Sequence, residues 1–423
     1  MKKLNVYIEI NGMQTHVGSI TGNSSLDAQF SYSDEYIAAN HPPISISLPV
    51  SSAPFRADIT KNFFEGLLPE GFARKSVANW IHAAEEDYLA ILQVLGAECI
   101  GAIRISDNTE DSGSYEPLSV EEVRALAREG VTKSTELVTA AHLSLTGASG
   151  KAGLYYDHTN HLWYKPIGNA PSTHIVKQSH VRLSDIVTNE QLSLATAAKL
   201  GISVPESFII NTGSAKDEEI LLATKRYDRK FSKEPADGNE LARPLRLHQE
   251  DFAQALGISS FDKYERGDQK YLARIFGILR KNVMNPMEDQ LKLWDILIYD
   301  FLVGNTDNHI KNISLLYSEN LKSIRLAPAY DIISTVIYQG SSREMAIGIG
   351  GERMLGHITR EHFAKAAADA GLSKKLALKH LDMMAGSFED ALKEATRKLT
   401  EDGYPKAKDI MDQILKNGGY SYL

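Results

Sequence analysis

Residues 305–312 read Asn-Thr-Asp-Asn-His-Ile-Lys-Asn, a polar loop that directly follows an apolar segment at 291–303. The apolar residues of that segment recur at helical spacing and Gly304 stands just past its end, so the pattern predicts a buried helix with a glycine stop. A polar loop delivered by a rigid helix is a common setting for catalytic groups. The predicted buried face consists of Leu291, Trp294, Leu297, Ile298, Phe301 and Leu302.

The chain after this loop predicts a hairpin that returns a second acidic residue to it. Strand-like residues at 313–317 and 323–326 flank a turn-like Ser-Glu-Asn at 318–320. The return strand would place Asp331 beside Asn312. Two carboxylates, an amide oxygen and a lysine would then converge, which is the set of groups that phosphoryl transfer needs.

The residue types predict a role for each member of this group. Asp307 and Asn312 are five residues apart, as are the catalytic Asp and the metal-binding Asn of protein kinases. Asp307 would accept the proton of the attacking hydroxyl, and Lys311 would offset charge on the transferred group. Asn312 and Asp331 would hold magnesium through hard oxygen ligands. Taken singly, each residue is as consistent with a solvated loop, and Asp331 with a helix N-cap. Together they favour an ATP- and magnesium-dependent phosphotransferase.

His309 belongs to the same loop and is a metal-ligand type. No second His or Cys stands at ligand spacing from it, which argues against zinc. The sequence therefore predicts a hydrogen-bonding role for His309 within the loop.

Two further segments indicate where a nucleotide would bind. Residues 144–151 read Ser-Leu-Thr-Gly-Ala-Ser-Gly-Lys, and the backbone N–H groups of such a glycine-containing basic segment could cradle phosphates. It is not a Walker loop, because only two residues separate its glycines and Ala152 follows Lys151; a turn between strands explains it equally well. Residues 174–177 predict a strand that ends in Lys177, like the phosphate-binding lysine of kinases or an ordinary exposed strand end. Glu190 would pair with Lys177, or be a favourable acid in the first turn of a helix at 189–200.

Composition limits the function classes. The chain has 423 residues, 43% hydrophobic and 24% charged, which predicts a globular protein of two or three domains. Its net charge of -8 does not favour non-specific binding to nucleic acid or an anionic membrane. The single cysteine, Cys99, allows no intramolecular disulfide and fits a reducing compartment. An alternating N-terminal strand in place of a signal-peptide core, and no apolar run of membrane-spanning length, predict a cytoplasmic protein with no membrane partner.

The order of elements predicts a sheet-rich lobe followed by a helical lobe. Strands at 4–10 and 16–20 flank Asn11-Gly12, the strongest short hairpin signal. Residues 142–229 are mostly strands around one helix, residues from 244 onward are mostly helices, and a cleft is expected at their junction. The other predicted elements are helices within 61–98, a strand at 99–105, a polar linker at 106–119, a helix at 120–129, strands at 204–210 and 219–224, and helices at 361–370 and 376–399.

The specific matches to a known family are the loop at 305–312 and the segment Tyr330-Asp331-Ile332-Ile333-Ser334. Over nearly its whole length, the chain resembles the HipA family of serine/threonine kinases, which are the toxins of two-component toxin–antitoxin systems. The resemblance implies an α+β, two-lobed protein-kinase-like fold, with a sheet-rich N-terminal lobe, a small N-terminal subdomain and an all-helical C-terminal lobe. The implied division is 1–128 for the N-terminal subdomain, 129–240 for the nucleotide-binding part and 241–423 for the helical lobe.

The resemblance also implies a set of site residues. Asp307 would be catalytic, and Ser144 would be an autophosphorylated residue whose modification expels the phosphate loop and silences the kinase. Many relatives carry Gly-Ala-Gln-Glu-Lys where this chain has residues 147–151, so Thr146 and Ser149 are rival acceptors. The implied ATP-binding residues are Thr146, Gly147, Ala148, Ser149, Gly150, Lys151, Lys177, Lys225, Arg226, Tyr227, His309, Ile310, Lys311, Asn312, Tyr330 and Asp331.

The partners follow from the resemblance and not from particular side chains. They are a helix-turn-helix antitoxin that carries most of the DNA binding and a phosphorylated aminoacyl-tRNA synthetase, glutamyl-tRNA synthetase being the first guess. Residues 350–360, where some relatives touch operator DNA, hold only Arg353 and Arg360 as arginines. Two alternatives stay open: a lipid or small-molecule kinase, because Asp307-x-His309-x-x-Asn312 also resembles the loop of phosphoinositide-type kinases, and a catalytically idle co-repressor.

Overall fold

The computed structural model describes residues 2–106, 113–129, 151–179, 183–231 and 241–423. The chain begins with a four-stranded antiparallel sheet of order β3-β2-β1-β4. Asn11 and Gly12 have φ of 51° and 78°, the left-handed values that a two-residue hairpin turn requires, so the predicted hairpin is confirmed. The strands are β1 (Lys2–Ile10), β2 (Met13–Gly22), β3 (Gln29–Tyr32) and β4 (Ile103–Ser106).

The predicted strand at 99–105 is wrong in its first residues, because β4 starts only at Ile103. Gly101 has a φ of 77°, and its N–H donates to the Asp228 carboxylate at 2.7 Å instead of to a strand. Four helices complete this N-terminal subdomain: α1 (Asp34–Ala38), α2 (Ala57–Glu65), α3 (Gly71–Trp80) and α4 (Tyr88–Leu95).

A six-stranded antiparallel sheet of order β5-β7-β6-β8-β10-β9 follows. Its helices are α5 (Val120–Glu129) and α6 (Ile186–Lys199), the latter starting three residues before its predicted first residue. The strands are β5 (Gly113–Pro117), β6 (Lys151–Asp157), β7 (Leu162–Gly168), β8 (His174–Gln178), β9 (Ser207–Asn211) and β10 (Ile220–Lys225).

The predicted linker at 106–119 contains an element that its polar composition conceals. β5 pairs with β7 at the edge of the six-stranded sheet, and its side chains are largely exposed, which explains the absence of an apolar pattern. Helix α5 packs Val123 and Leu126 against the same sheet. These contacts join residues 113–129 to the second sheet. The division after residue 128 stays a prediction.

The C-terminal lobe is mostly helical, as predicted, but it is not all-helical. A three-stranded sheet β13-β14-β15 and two small antiparallel pairs are built into it. The strand at 249–251 reads Gln-Glu-Asp and is buried among polar partners, so it carries no apolar pattern that could reveal it. The strands are β11 (Arg229–Lys230), β12 (Leu245–Arg246), β13 (Gln249–Asp251), β14 (Ser314–Tyr317), β15 (Ile324–Leu326), β16 (Glu344–Ile349) and β17 (Glu352–Met354).

The helices of this lobe include those predicted. Helix α9 ends at Val303, as predicted, and begins with Pro286 in its first turn, while Gly304 at φ 74° forms its C-cap. The helices are α7 (Phe252–Leu256), α8 (Tyr271–Asn282), α9 (Pro286–Val303), α10 (Arg360–Ala370), α11 (Lys374–Glu401) and α12 (Lys406–Asn417). Short 3-10 turns lie at Asp217–Glu219, Ser260–Asp262, Thr335–Ile337, Leu355–His357 and Gly419–Tyr422.

One hydrophobic core joins the N-terminal subdomain to the helical lobe, while a smaller cluster lies under α5 on the six-stranded sheet. Hydrogen bonds reinforce the first contact: Gln254 Nε2 donates to the Phe63 carbonyl at 3.0 Å and Asn62 Nδ2 to the Gly257 carbonyl at 2.8 Å. The N-terminal subdomain, the six-stranded sheet and the helical lobe consequently all contribute residues to one cleft. In the described part of the chain, no helix is long and apolar enough to cross a membrane.

Candidate active site

The loop at 305–312 is anchored by a buried aspartate of α9. Asp300 accepts hydrogen bonds from the side-chain amides of Asn305, at 2.8 Å, and of Asn308. Burial raises the pKa of Asp300 to about 7, against the opposing hydrogen bonds of the two amides. The Thr306 hydroxyl adds a hydrogen bond to Ser342 O at 2.9 Å. The helix therefore holds the loop through side chains as well as through the Gly304 cap.

Within the loop, hydrogen bonds fix the predicted catalytic side chains. Asn312 Nδ2 donates to the Asp307 carbonyl at 3.1 Å, which leaves Asn312 Oδ1 without a partner among the described residues. His309 N–H donates to the same carbonyl at 2.8 Å. Burial lowers the pKa of the His309 imidazole to about 3, and its Nδ1 is buried with no partner in the described part of the chain. The predicted hydrogen-bonding role of His309 thus involves its backbone, while the ring nitrogen Nδ1 is unsatisfied.

The predicted hairpin forms from β14 and β15 and brings Asp331 to the same cleft as Asp307 and Asn312. The hydroxyl of Tyr330 lies 2.7 Å from Ser314 Oγ and donates to the Lys311 carbonyl at 2.8 Å, which ties the returning chain to the loop. Asp331 has a φ of 58°, a left-handed conformation that Asp tolerates better than most residues and that is frequent at functional sites.

Lys177 on β8 forms ion pairs with two carboxylates. Its Nζ lies 2.6 Å from Glu190 Oε1 on α6 and 2.6 Å from Asp331 Oδ1. Burial alone would lower the pKa of Lys177, but these two carboxylates outweigh it and raise the pKa above its usual range. Burial would likewise raise the pKa of Asp331, which Lys177 and Lys151 instead hold low. The predicted lysine–glutamate pair forms, and Asp331 joins it.

Lys151, the first residue of β6, is the cross-strand partner of Lys177 in the antiparallel register. Both ammonium groups lie at the cleft, but no carboxylate of the described residues lies within ion-pair distance of Lys151. Burial lowers the pKa of Lys151 to about 8, and the attraction of Asp331 opposes that shift. We refer to Lys151, Lys177, Glu190 and Asp331 as the cleft group. The predicted residues Ser144, Thr146, Gly147, Ala148, Ser149 and Gly150 lie outside the described residues.

The cleft has a volume of about 350 Å³. Its lining includes the cleft group, Asp307 and Asn312 as well as apolar side chains. A flat aromatic base joined to a charged polyphosphate needs both apolar and polar walls. The apolar lining includes Ile175, Ile186, Val187, Leu194, Leu222 and Ile333.

The segment 225–227 lines the cleft, but the guanidinium of Arg226 is engaged elsewhere. It pairs with Asp228 at 2.7 Å and with Glu98 at 3.1 Å, and its side chain is only 1% exposed. Lys225 pairs with Glu206 on the surface at 2.8 Å. Arg226, Arg229 and Arg246 surround Glu98 and Asp228, and we call these five residues the arginine cluster. The side chain of Arg226 is part of this cluster. If Arg226 binds ATP as predicted, it would therefore do so through its backbone.

The side chains of two other predicted loop residues, Lys311 and Ile310, are engaged in contacts within the protein. Lys311 Nζ lies 3.1 Å from Asp251 Oδ2 and 3.2 Å from Glu70 Oε1, and it donates to the Gly66 carbonyl at 3.0 Å. Ile310 is fully buried in the core. An ammonium paired with two carboxylates has little charge left for a phosphoryl group. These ion pairs therefore argue against the predicted role of Lys311, which stays a prediction.

Residues outside the predicted set also line the cleft, among them Glu70, Lys263 and Tyr264. Glu70 comes from the N-terminal subdomain and pairs with Lys263 at 2.6 Å as well as with Lys311. Burial would raise the pKa of Glu70, but Lys311 and Lys263 lower it to about 2. The Tyr264 hydroxyl donates to Asp307 Oδ1 at 2.7 Å. No local sequence pattern marks these residues, because each reaches the site through a long-range contact.

Comparison with known proteins shows the family to which the chain is similar. The HipA-like C-terminal domain matches residues 143–392 and the HipA N-terminal domain matches residues 6–106. A putative kinase of Sinorhizobium fredii is 30% identical over 387 residues, which cover 89% of this chain and 88% of the relative. The serine/threonine-protein kinase toxin HipA of Shewanella oneidensis is 25% identical over 366 residues, which cover 83% of this chain and 80% of the relative.

A solved structure shows the same fold. HipA from the Shewanella oneidensis complex of HipA, HipB and operator DNA matches with a TM-score of 0.77 at 21% identity, covering 97% of this chain and 96% of that one. The fold and the relatives together define a protein kinase with the two-lobed, kinase-like architecture that the sequence predicts. The chain belongs to the HipA family.

Proposed function

We propose that this chain transfers the γ-phosphoryl group of ATP to a serine or threonine hydroxyl of a protein, with Asp307 as the catalytic base. The observation that carries the proposal is that Asp307, Asn312, Asp331 and Lys177 line the same cleft, with Lys177 paired to Asp331. Burial raises the pKa of Asp307, against the hydrogen bond from Tyr264, and a raised pKa makes its carboxylate a better proton acceptor.

The remaining residues bind and orient the nucleotide. Lys177 and Lys151 would neutralise phosphate oxygens, and Glu190 would keep the Lys177 ammonium in place. The Nδ1 of His309, which has no partner among the described residues, offers a further polar contact, since a buried nitrogen left unsatisfied costs free energy that a ligand can recover. The apolar lining would receive the base, with the backbone of 225–227 alongside it.

A magnesium ion fits the oxygen donors of the site. Asn312 and Asp331 would hold magnesium together with nucleotide phosphates, since magnesium is commonly bound by one or two protein oxygens plus substrate phosphates. Asn312 Oδ1 and the second oxygen of Asp331 accept no hydrogen bond from the described residues. Bound there, magnesium would neutralise charge on the phosphates.

The chemical step then needs little covalent participation from the protein. The acceptor oxygen attacks the γ-phosphorus while the bond to the β-phosphate oxygen breaks and ADP leaves. The hydroxyl proton passes to the carboxylate of Asp307. Lys177, held in place by Glu190, stabilises the negative charge of the transferring group electrostatically, without forming a covalent bond.

The wider role that we propose is that of the toxin in a toxin–antitoxin pair. The Shewanella relative is named a toxin, and its solved complex contains HipB and operator DNA. By analogy, a HipB-like helix-turn-helix antitoxin would bind this chain and carry most of the DNA contact. The protein substrate would be an aminoacyl-tRNA synthetase, glutamyl-tRNA synthetase first, whose phosphorylation would inhibit translation.

Self-control by phosphorylation is part of the same proposal. A phosphate on Ser144, or on Thr146 or Ser149, would add roughly two negative charges just before Lys151. Such a dianion would compete with ATP for the positive charges of Lys151 and Lys177. Intact mass before and after incubation with Mg-ATP, followed by mapping of the modified residue, tests this: no phosphate on 144–149 would contradict it.

The decisive experiment on catalysis compares two aspartates. Asp307→Asn should lower label transfer from ATP to protein by about 100-fold or more, the scale of a lost general base, while nucleotide binding persists. Asp295→Asn is the matched control, because Asp295 pairs with His380 on another face of α9 at 2.6 Å and does not line the cleft. Full activity in Asp307→Asn, or label only on a small molecule, would contradict the proposal.

A further inference from the structure

The carboxylate of Asp307 is held by a tyrosine from outside the catalytic loop. Tyr264, between the 3-10 turn at Ser260–Asp262 and α8, donates its hydroxyl hydrogen to Asp307 Oδ1 at 2.7 Å. The other oxygen, Oδ2, accepts no hydrogen bond from any described residue. The two oxygens therefore differ: one is fixed by the protein and one is left for another donor.

Tyr264 is itself held firmly. Its ring meets the His309 ring edge to face, with centroids 5.1 Å apart and planes at 82°. The Lys263 ammonium, paired with Glu70 of the N-terminal subdomain, lies 5.4 Å from the ring centroid. The backbone N–H of the following residue, Glu265, donates to the Ala346 carbonyl at 2.9 Å. A tyrosine whose ring is packed and whose neighbouring backbone is hydrogen-bonded can impose an orientation on the group that it touches.

We propose that Tyr264 is a positioning residue that fixes the rotation of the Asp307 carboxylate so that Oδ2 receives the proton of the acceptor hydroxyl. The proposal rests on the catalytic role of Asp307. The terminal torsion of an Asp side chain is broad, so a carboxylate without such a partner samples many orientations. Small misplacements of a catalytic group cost rate steeply. A positioning residue therefore affects turnover and leaves ATP binding alone.

The first test is Tyr264→Phe, which removes the hydroxyl and keeps the ring contact with His309. We expect kcat for label transfer to fall by about 10- to 100-fold, the range for one lost hydrogen bond to a charged group. The dissociation constant for Mg-ATP should stay within about twofold. Tyr36→Phe is the matched control, because Tyr36 donates to the Pro42 carbonyl at 2.7 Å inside the N-terminal subdomain. Its kcat should match the wild type, and the two variants should have similar thermal midpoints.

A double-mutant cycle separates positioning from a merely structural role. In the Asp307→Ala background, which removes the acceptor of the Tyr264 hydroxyl, Tyr264→Phe should cause no further loss of residual turnover, because the tyrosine acts only through that carboxylate. Equal losses in both backgrounds, wild-type kcat in Tyr264→Phe, or phosphate mapped to Tyr264 itself would overturn the proposal. Full activity in Asp307→Asn would instead refute the catalytic role on which it rests, so the two failures are distinguishable.

Discussion

The arginine cluster and the cleft group are neighbouring sets of buried charges that differ in whether the protein satisfies them. In the arginine cluster, Glu98 lies 2.7 Å from Arg229 and 2.6 Å from Arg246, and all these side chains are at most 3% exposed. Burial would raise the pKa of Glu98, but the three arginines hold it at about 2. Each charge of the cluster lies within ion-pair distance of an opposite charge, although Arg229 Nε is buried without a hydrogen-bond partner among the described residues.

The cleft group keeps unused binding capacity. Lys151 has no carboxylate of the described residues within ion-pair distance, and Asp331 is 36% exposed with only one oxygen paired to Lys177. Charges left open towards a cavity are expected where an ionic ligand completes them, whereas closed networks hold domains together. The difference teaches that burial and charge alone do not identify a candidate site, and that the ion pairing of each group must be compared as well. Arg226 illustrates this, because its sequence position predicted ATP binding and its side chain closes a structural network.

The largest effect should come from opening the closed network. Glu98→Ala leaves three buried arginines short of a partner and should lower the free energy of unfolding by about 3–5 kcal/mol. Urea denaturation measures it. Glu319→Ala is the control, because Glu319 forms a surface pair with Lys230 and should cost no more than about 1 kcal/mol. Equal effects of the two variants would remove the distinction between closed network and surface pair.

Removing Lys177, the central lysine of the cleft group, should mainly lower activity and affect stability less. Lys177→Met should lower phosphotransfer by roughly 100- to 1000-fold, the scale for losing one group aimed at transition-state charge. Its stability loss should be smaller than that of Glu98→Ala, because water reaches Asp331. Lys165→Met, on the same sheet and paired with Glu116 at 2.8 Å, is the control for kinase assays. A Lys177→Met variant with activity within threefold of wild type would contradict this reading of the cleft group.

Glu70 should behave as an intermediate case, because it lines the cleft but is fully paired. Its pKa of about 2 lies below the ordinary value of 4.5, so its carboxylate contributes stability fully above pH 4.5 and loses it as the pH falls towards 2. Glu70→Gln should therefore be less stable than wild type at pH 7 by on the order of 2–3 kcal/mol. Denaturation at several pH values should show this gap shrinking below pH 4.5. A gap that is constant from pH 7 to pH 3 would refute the assignment.

The smallest effect should be a pH dependence of nucleotide binding through Lys151. Burial lowers the pKa of Lys151 to about 8. Its side chain therefore carries a positive charge below that pH and loses the charge above it. Affinity for Mg-ATP should weaken as the pH rises above 8. Lys151→Gln should bind about tenfold more weakly at pH 7 and show a flat profile. Lys199→Gln, which alters an exposed pair with Glu394, should keep the wild-type profile; a pH-dependent Lys151→Gln would contradict the role.

Much of the fold and part of the site could be predicted because their signals are local. The hairpin at Asn11-Gly12, helix α9 with its Gly304 cap and the hairpin of β14 and β15 follow from short-range periodicity and turn chemistry. Strands β5 and β13 could not, since one is an exposed edge and the other a buried polar strand, and neither has an apolar alternation.

The sequence by itself determined the loop at 305–312, its helix and the spacing of Asp307 and Asn312, because neighbouring residues on a rigid element keep their relative positions. Only the tertiary structure decided that Lys151 faces Lys177, that Arg226 turns away, and that Glu70 and Tyr264 reach the cleft. Those contacts join segments far apart in the chain. They depend on how the N-terminal subdomain, the six-stranded sheet and the helical lobe pack together, which no local pattern encodes.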